Sequence, residues 1–197
     1  MSVAIRESPS QGQLAKGDFR TVQHNRTWAQ FKYLQQGFEN ARGVRLFYYK
    51  GTIEILMPGT PHELFKSVIG FLIEMFLFHH EIEFKPTGSA TQEIEGIVSA
   101  EADESYEIQG FKLSIEVDFT NSSRSKLERY AVLAVDEVWV WEDGVLEVYW
   151  LQADGYVKAE RSQIPALATI DLALLSECIL IGEISRIQAG KRLLRDS

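Results

Sequence analysis

The stretch FKLSIEVDF, residues 111–119, reads as a β-strand with two unlike faces. Side chains alternate along a strand, so Phe111, Leu113, Ile115, Val117 and Phe119 form an unbroken apolar row. Lys112, Ser114, Glu116 and Asp118 form the other row, with two acids two positions apart. Like charges that close disfavour each other's ionised form. That face is therefore either wet or holds a cation.

Working outward, the polar turn Asn121-Ser122-Ser123 leads into a helix in SRSKLERYAVLAV. EVWVW, VLEVYWL and YVKAE then read as strands separated by Asp-Gly turns. On the N-terminal side, Thr27 is placed to cap a helix running through Gln36, with Trp28, Phe31 and Leu34 on one face. VRLFYYKGTIEILM gives two alternating runs joined at Lys50-Gly51, a hairpin signal. TPHELFKSVIGFLIEMFLFHH is the longest helix, with Thr60 as its expected N-cap and Pro61 at its first helical position. Short strands are expected near 82–86, 90–95 and 104–108, and IDLALLSECILIGEISRI as a final helix. The order predicts a mixed α/β (α+β) fold. Residues 1–26 read as a loose polar extension, 27–188 as a single domain and 189–197 as a basic tail.

A chain of 197 residues is long enough for one substantial core and short for two. The lone Cys178 excludes an internal disulfide framework and a cysteine-based zinc site, and fits a reducing cytoplasm. MSVAIRESPSQGQ lacks the apolar run of a signal peptide. The longest apolar stretch, FLIEMFLF, is interrupted by Glu74 and is too short to span a bilayer. A cytoplasmic protein without a membrane partner is the expectation. The net charge of −8 argues mildly against nucleic acid. Metal-binding acids lower the isoelectric point, however, and a local basic patch can coexist with them.

Four residues make a candidate chemical constellation: Glu63, Asp103, Glu116 and Lys126. Hard divalent cations prefer carboxylate oxygens and keep several waters, and metal-dependent hydrolysis adds a group that orients water or steadies phosphate charge. Lys126 is anomalous, because a cation in the first turn of a helix is disfavoured by ~0.3–1 kcal/mol. It also shares a face with Tyr130 and Leu133. A cation so placed wants an anion, which Glu116 can supply. Each residue has a plainer reading beside this one. Glu63 three positions after Thr60 makes T-P-H-E a capping box. Asp103 belongs to the polar loop EADE, Glu116 and Asp118 can line an exposed sheet face, and Lys126 can snorkel. His79-His80 diverge on a helix and are not a ligand pair, and Cys178 reads as core.

Across residues 44–175 the order of GVRLFYYKGTIEILMPGTPHE, EADESYEI, LSIEV and KLERYAVLAVDEVWVWEDGVLEVYWL resembles the Uma-type endonucleases. These are a bacterial branch of the PD-(D/E)XK nuclease superfamily. The resemblance implies a restriction-endonuclease-like αβββαβ core with extra antiparallel strands and a C-terminal helix. It implies that Asp103 and Glu116 bind magnesium or manganese (Mg2+ or Mn2+), that Glu63 contributes from the first core helix, and that Lys126 replaces the motif lysine from the following helix. Ala102 stands where the family has proline, Asp118 where this branch has an apolar residue, and Ala134 and Asp136 where small-Val-Pro is usual.

The expected activity is metal-dependent cleavage of DNA phosphodiesters, with a homodimer as an expected assembly. Lys112, Arg124, Arg129, Lys191, Arg192 and Arg195 are candidates to meet the backbone. A noncatalytic binding or assembly protein on the same fold is the rival. It is supported by the acidic charge balance and by Trp139, Trp141, Tyr149 and Trp150, which themselves read first as packing. A two-carboxylate carbohydrate hydrolase has only acid abundance in its favour.

Overall fold

A computed structural model of the chain describes residues 17–119 and 123–196. Strand β1 (Phe19–Gln23) and helix α1 (Trp28–Gly37) precede the hairpin β2 (Arg45–Tyr49) and β3 (Thr52–Met57). Helix α2 (Thr60–His79) is followed by β4 (Phe84–Pro86), β5 (Gln92–Ile94), β6 (Val98–Ala100), β7 (Glu104–Ile108) and β8 (Phe111–Val117). Helix α3 (Ser123–Val132) leads to β9 (Glu137–Glu142), β10 (Val145–Gln152) and β11 (Gly155–Ala159). Helices α4 (Leu172–Ile184) and α5 (Arg186–Asp196) follow. The β2–β3, β7–β8 and β9–β10 hairpins turn at Lys50-Gly51, Gln109-Gly110 and Asp143-Gly144, with φ positive at both residues of each turn. Such turns match the twist of the flanking strands.

The described residues form two sheets. The first is antiparallel in the order β1-β3-β2-β6-β5, and the second runs β11-β10-β9-β8-β7-β4. Within the second, β8 and β9 pair in parallel, joined by α3, and the other neighbours are antiparallel. The apolar row of β8 decides which layer goes where. Leu113, Ile115 and Val117 join Trp139 and Trp141 of β9, Leu72 and Phe76 of α2, and Leu175 and Cys178 of α4 in the main core. The opposite face meets α3 and the first sheet, where Val138 and Val140 pack with Tyr130, Phe47 and Val98. The mixed α+β expectation holds. Trp139 and Trp141 are core side chains, as their alternation implied, and Cys178 is buried with them.

Several expectations are corrected. The N-cap of α2 is Gly59, not Thr60, which is already helical. A Cβ at residue 59 would come within 2.8 Å of the Gly17 backbone, so that cap has room only for glycine. The backbone N–H of Gly59 donates to Asp18 at 2.8 Å, and Thr60 makes no capping bond. The capping-box explanation of Glu63 therefore fails. Part of the expected 1–26 extension is structured, because β1 pairs along β3 and Arg20 bonds Glu54 at 2.7 Å. Residues 1–16 lie outside the described residues. The final helix breaks at Ser185 (φ −150°), and the expected 189–197 tail largely belongs to α5, whose Ala189 and Leu193 are core residues. Beyond the strand expected at 90–95, a further strand, β6, pairs with β2.

Candidate functional site

The register of β7 and β8 brings the two leading acids together. Glu104 lies opposite Ile115, and the Asp103 N–H continues the ladder by donating to the Ile115 carbonyl at 3.1 Å. Asp103 therefore stands across from Glu116, on the face turned toward α3. Asp103 is fully buried and Glu116 is 3% exposed. From the first turn of α3, Lys126 Nζ donates to Glu116 Oε2 at 2.8 Å, and one turn on the Tyr130 hydroxyl donates to Glu116 Oε1. The helix-end cation has its anion. Asp118 is buried as well, not at a wet strand end, and its charge adds to that of Glu116 on Lys126.

Residues that sequence reasoning did not single out complete the cluster. Arg45 of β2 donates through Nη1 to Asp103 Oδ1 and through Nη2 to Glu63 Oε1 at 3.0 Å. Its Nε lies 3.9 Å from Glu101. His62 bridges Asp103 Oδ1 and Asp18 Oδ2, each at 2.8 Å. Asp103 Oδ2 accepts the Val117 N–H at 2.7 Å. Glu63, with half of its side chain exposed, is linked to Asp103 through Arg45. It stands at the solvent edge of the cluster rather than beside the two buried acids. The clue to His62 is its place directly before Glu63 in TPHE, and the clue to Tyr130 is its shared face with Lys126. Nothing in VRLFYY distinguishes Arg45.

Arg129, expected to meet a DNA backbone, is instead 4% exposed, bonded to Glu54 at 3.2 Å and stacked on the Phe47 ring at 4.7 Å. The Arg124 side chain lies outside the described residues. Lys112, Lys191 and Arg195 are exposed, and Arg192 pairs with Glu177 at 3.5 Å.

The electrostatics separate the roles. Burial opposes the Asp103 carboxylate, but the His62 hydrogen bond and the Arg45 charge outweigh it and hold it well below the usual range. Burial also opposes the Lys126 ammonium, and Glu116, Asp118 and Asp103 raise it above its ordinary value regardless. Lys126 is thus a permanent cation at neutral pH and not a proton acceptor. Tyr130 is pushed up by burial and by Glu116, so it remains a donor. Glu101 is pushed up by burial, with Asp103 and Glu116 adding to the effect against Arg45. A carboxyl raised beside one that is depressed is the pattern that separates a proton acceptor from a fixed charge.

His62 and Asp103 also set a pH window for stability. Burial lowers the His62 pKa, and bonds to Asp103 and Asp18 raise it more, to above the ordinary 6.5. A raised pKa stabilises fully below 6.5 and is lost as pH rises through the folded value. The depressed Asp103 pKa stabilises above 3.8 and is lost as pH falls toward the folded value. In metal-free buffer, urea midpoints over about pH 5 to 9 should fall on the alkaline side for the wild type and stay flat there for His62→Asn. A wild-type curve as flat as that of the variant would refute the imidazolium.

Among the described residues, no group of three or more His, Cys, Asp or Glu is arranged to hold a metal ion. The donor chemistry nevertheless fits a hard cation. An ionised carboxylate offers roughly four lone-pair sites. Among the described residues Asp103 accepts from Arg45, His62 and Val117, and Glu116 from Lys126 and Tyr130, so with respect to these donors both retain accepting capacity. A divalent ion shared by Asp103 and Glu116 would require Arg45 to give ground at Asp103. No family model matches the chain, and no curated protein matches it.

Proposed function

We propose that the chain is a metal-dependent endonuclease of the restriction-endonuclease-like class that hydrolyses DNA phosphodiester bonds. The observation that carries the proposal is the buried pair Asp103 and Glu116 on neighbouring antiparallel strands, with Lys126 of the next helix on Glu116. The order α2, β4, β7, β8, α3, β9, with the parallel β8–β9 pair, supports the same reading. Bound magnesium or manganese would supply Lewis acidity and a more acidic water. Asp103 and Glu116 would hold it, and Glu63 would assist through water from the solvent edge. Lys126, fixed as an ammonium, would steady the phosphorane-like charge. Glu101 suits the proton acceptor for the attacking water. A homodimer presenting two sites to a duplex, and a reducing cytoplasm suited to the lone Cys178, belong to the same proposal. No described helix is long and apolar enough to cross a membrane.

The test is plasmid incubated with Mg2+ or Mn2+. The wild type should nick or linearise it, chelator should stop the reaction, and Asp103→Asn should be slower by about 100-fold or more. Plasmid left intact at every metal tried overturns the proposal.

The rival reading, a noncatalytic binding or assembly protein, is favoured by one observation: Arg45 and Lys126 already neutralise the two buried acids. Calorimetric titration with either metal separates the two. Heat from the wild type that is lost in Glu116→Ala supports the nuclease, and no heat from either supports the binding protein.

A further inference from the structure

The face that carries Asp103 and Glu116 continues along the same two strands. One step on, Ser105 lies opposite Ser114, and one step further Glu107 lies opposite Lys112. Here β7, β8 and the β4–β5 connection line a cavity of about 210 Å3, with Thr87, Gln92, Ser105, Lys112 and Ser114 among its residues. Ser105 is satisfied, bonding Gly88 O at 2.5 Å and Thr87 Oγ1 at 2.7 Å. Ser114 is not. It is 1% exposed and its Oγ has no hydrogen-bond partner. A buried hydroxyl left unpaired is costly, and this one lines a space already present to receive a ligand.

The character of the space narrows the ligand. At about 30 Å3 per water the cavity would hold roughly seven, more than one hydroxyl needs. It falls below the ~300–1,000 Å3 of pockets that take whole small molecules. At the rim Lys112 faces Glu107 across the strand pair, so the charges offset and an anion such as phosphate gains little. A small, neutral, planar group that both donates and accepts hydrogen bonds fits best. Two residues of strand span ~6.6 Å, which sets the cavity beside the carboxylates at the reach of a nucleotide next to the one being cut.

We infer that this cavity is a subsite for a single-ring nucleobase, a pyrimidine, turned out of the strand, with Ser114 at its floor and Gln92 at its side. Enzymes that act on nucleic acid read extruded bases in snug pockets by such hydrogen bonds. The subsite rests on the nuclease proposed above, but its occupancy is measurable without cleavage.

The experiment is saturation-transfer NMR on the full chain with thymidine, cytidine, adenosine, guanosine or inorganic phosphate. Thymidine or cytidine should show transfer, and the purine nucleosides and phosphate little. Ser114→Ala should weaken pyrimidine binding about 3- to 10-fold, the value of one hydrogen bond. It should melt no lower than the wild type, since it removes an unpaired group. Ala90→Leu, at an exposed lining position, should fill the space and abolish the signal without unfolding the protein. Absence of pyrimidine transfer, equal purine binding, phosphate binding, or binding that survives Ala90→Leu would each overturn the inference. Plasmid cutting without nucleoside binding sinks the subsite alone. Nucleoside binding sensitive to Ala90→Leu without plasmid cutting sinks the nuclease and leaves a base-binding site.

Discussion

Arg45→Met is expected to destabilise the fold by about 3–5 kcal/mol, the range for removing one partner of a buried ion pair. Arg45 is 7% exposed and Asp103 wholly buried, so water cannot replace the lost guanidinium. Asp103 keeps the bonds from His62 and the Val117 N–H, which places the loss nearer the lower end. The Arg45–Glu63 contact adds little, because half of the Glu63 side chain is exposed and surface pairs are worth about 0–1 kcal/mol. Methionine retains much of the packing of the aliphatic stem. Urea denaturation of the single variants and of the double variant with Asp103→Asn provides the cycle. The double should recover about 1 kcal/mol or more of the summed cost. A single-variant cost below about 1 kcal/mol would mean that Arg45 does not compensate Asp103. Under the nuclease proposal Arg45→Met also frees a lone pair on Asp103 Oδ1, which His62 still bonds, so Mn2+ should bind the variant more tightly than the wild type.

The parts of this molecule legible in the sequence are those set by local physics. The alternation of Phe111–Val117 placed Leu113, Ile115 and Val117 in the core and Glu116 on the opposite face. Thr27 caps α1 with Gln30 as a capping box, because cap chemistry needs only residues three apart. Lys50-Gly51 and Asp143-Gly144 announced their hairpins, because glycine accepts the positive φ these turns adopt, whereas the turn at Gln109-Gly110 was not read. What escaped depended on partners far along the chain. The choice of Gly59 over Thr60 as cap is made by the Gly17 backbone pressing on it, and β1 exists because β3 offers an edge. The site divides in the same way. Asp103 directly precedes β7, Glu116 lies on β8 and Lys126 on the helix after it, so these three stand near enough along the chain to be read together. Arg45 and Asp18 arrive from a distant strand and the chain preceding β1 with no local signature, and His62 is marked only by standing directly before Glu63 in TPHE.

Lys126→Met should cost about 3–5 kcal/mol in metal-free buffer, again by stranding a buried carboxylate. Glu116 would retain the Tyr130 hydroxyl, but its compensating cation would be gone, 2.8 Å from where Nζ now sits. The effect of metal on that cost separates the two functional readings. If Asp103 and Glu116 hold a divalent ion, the ion restores positive charge beside Glu116, and ligand that binds only the folded state stabilises it by ~2.7 kcal/mol at a hundredfold excess over Kd. Saturating Mn2+ should then narrow the stability gap between Lys126→Met and the wild type, while plasmid cleavage by the variant stays lower by about 100-fold or more. Lys126 would thereby be shown to act on the phosphate rather than on the metal. If the cluster is only a set of ion pairs, Mn2+ leaves the gap unchanged, and Glu116→Gln combined with Lys126→Met recovers stability at every metal concentration. Urea midpoints of the wild type, Lys126→Met and the double variant, with and without Mn2+, decide between a charge that waits for a metal ion and one the protein has already balanced.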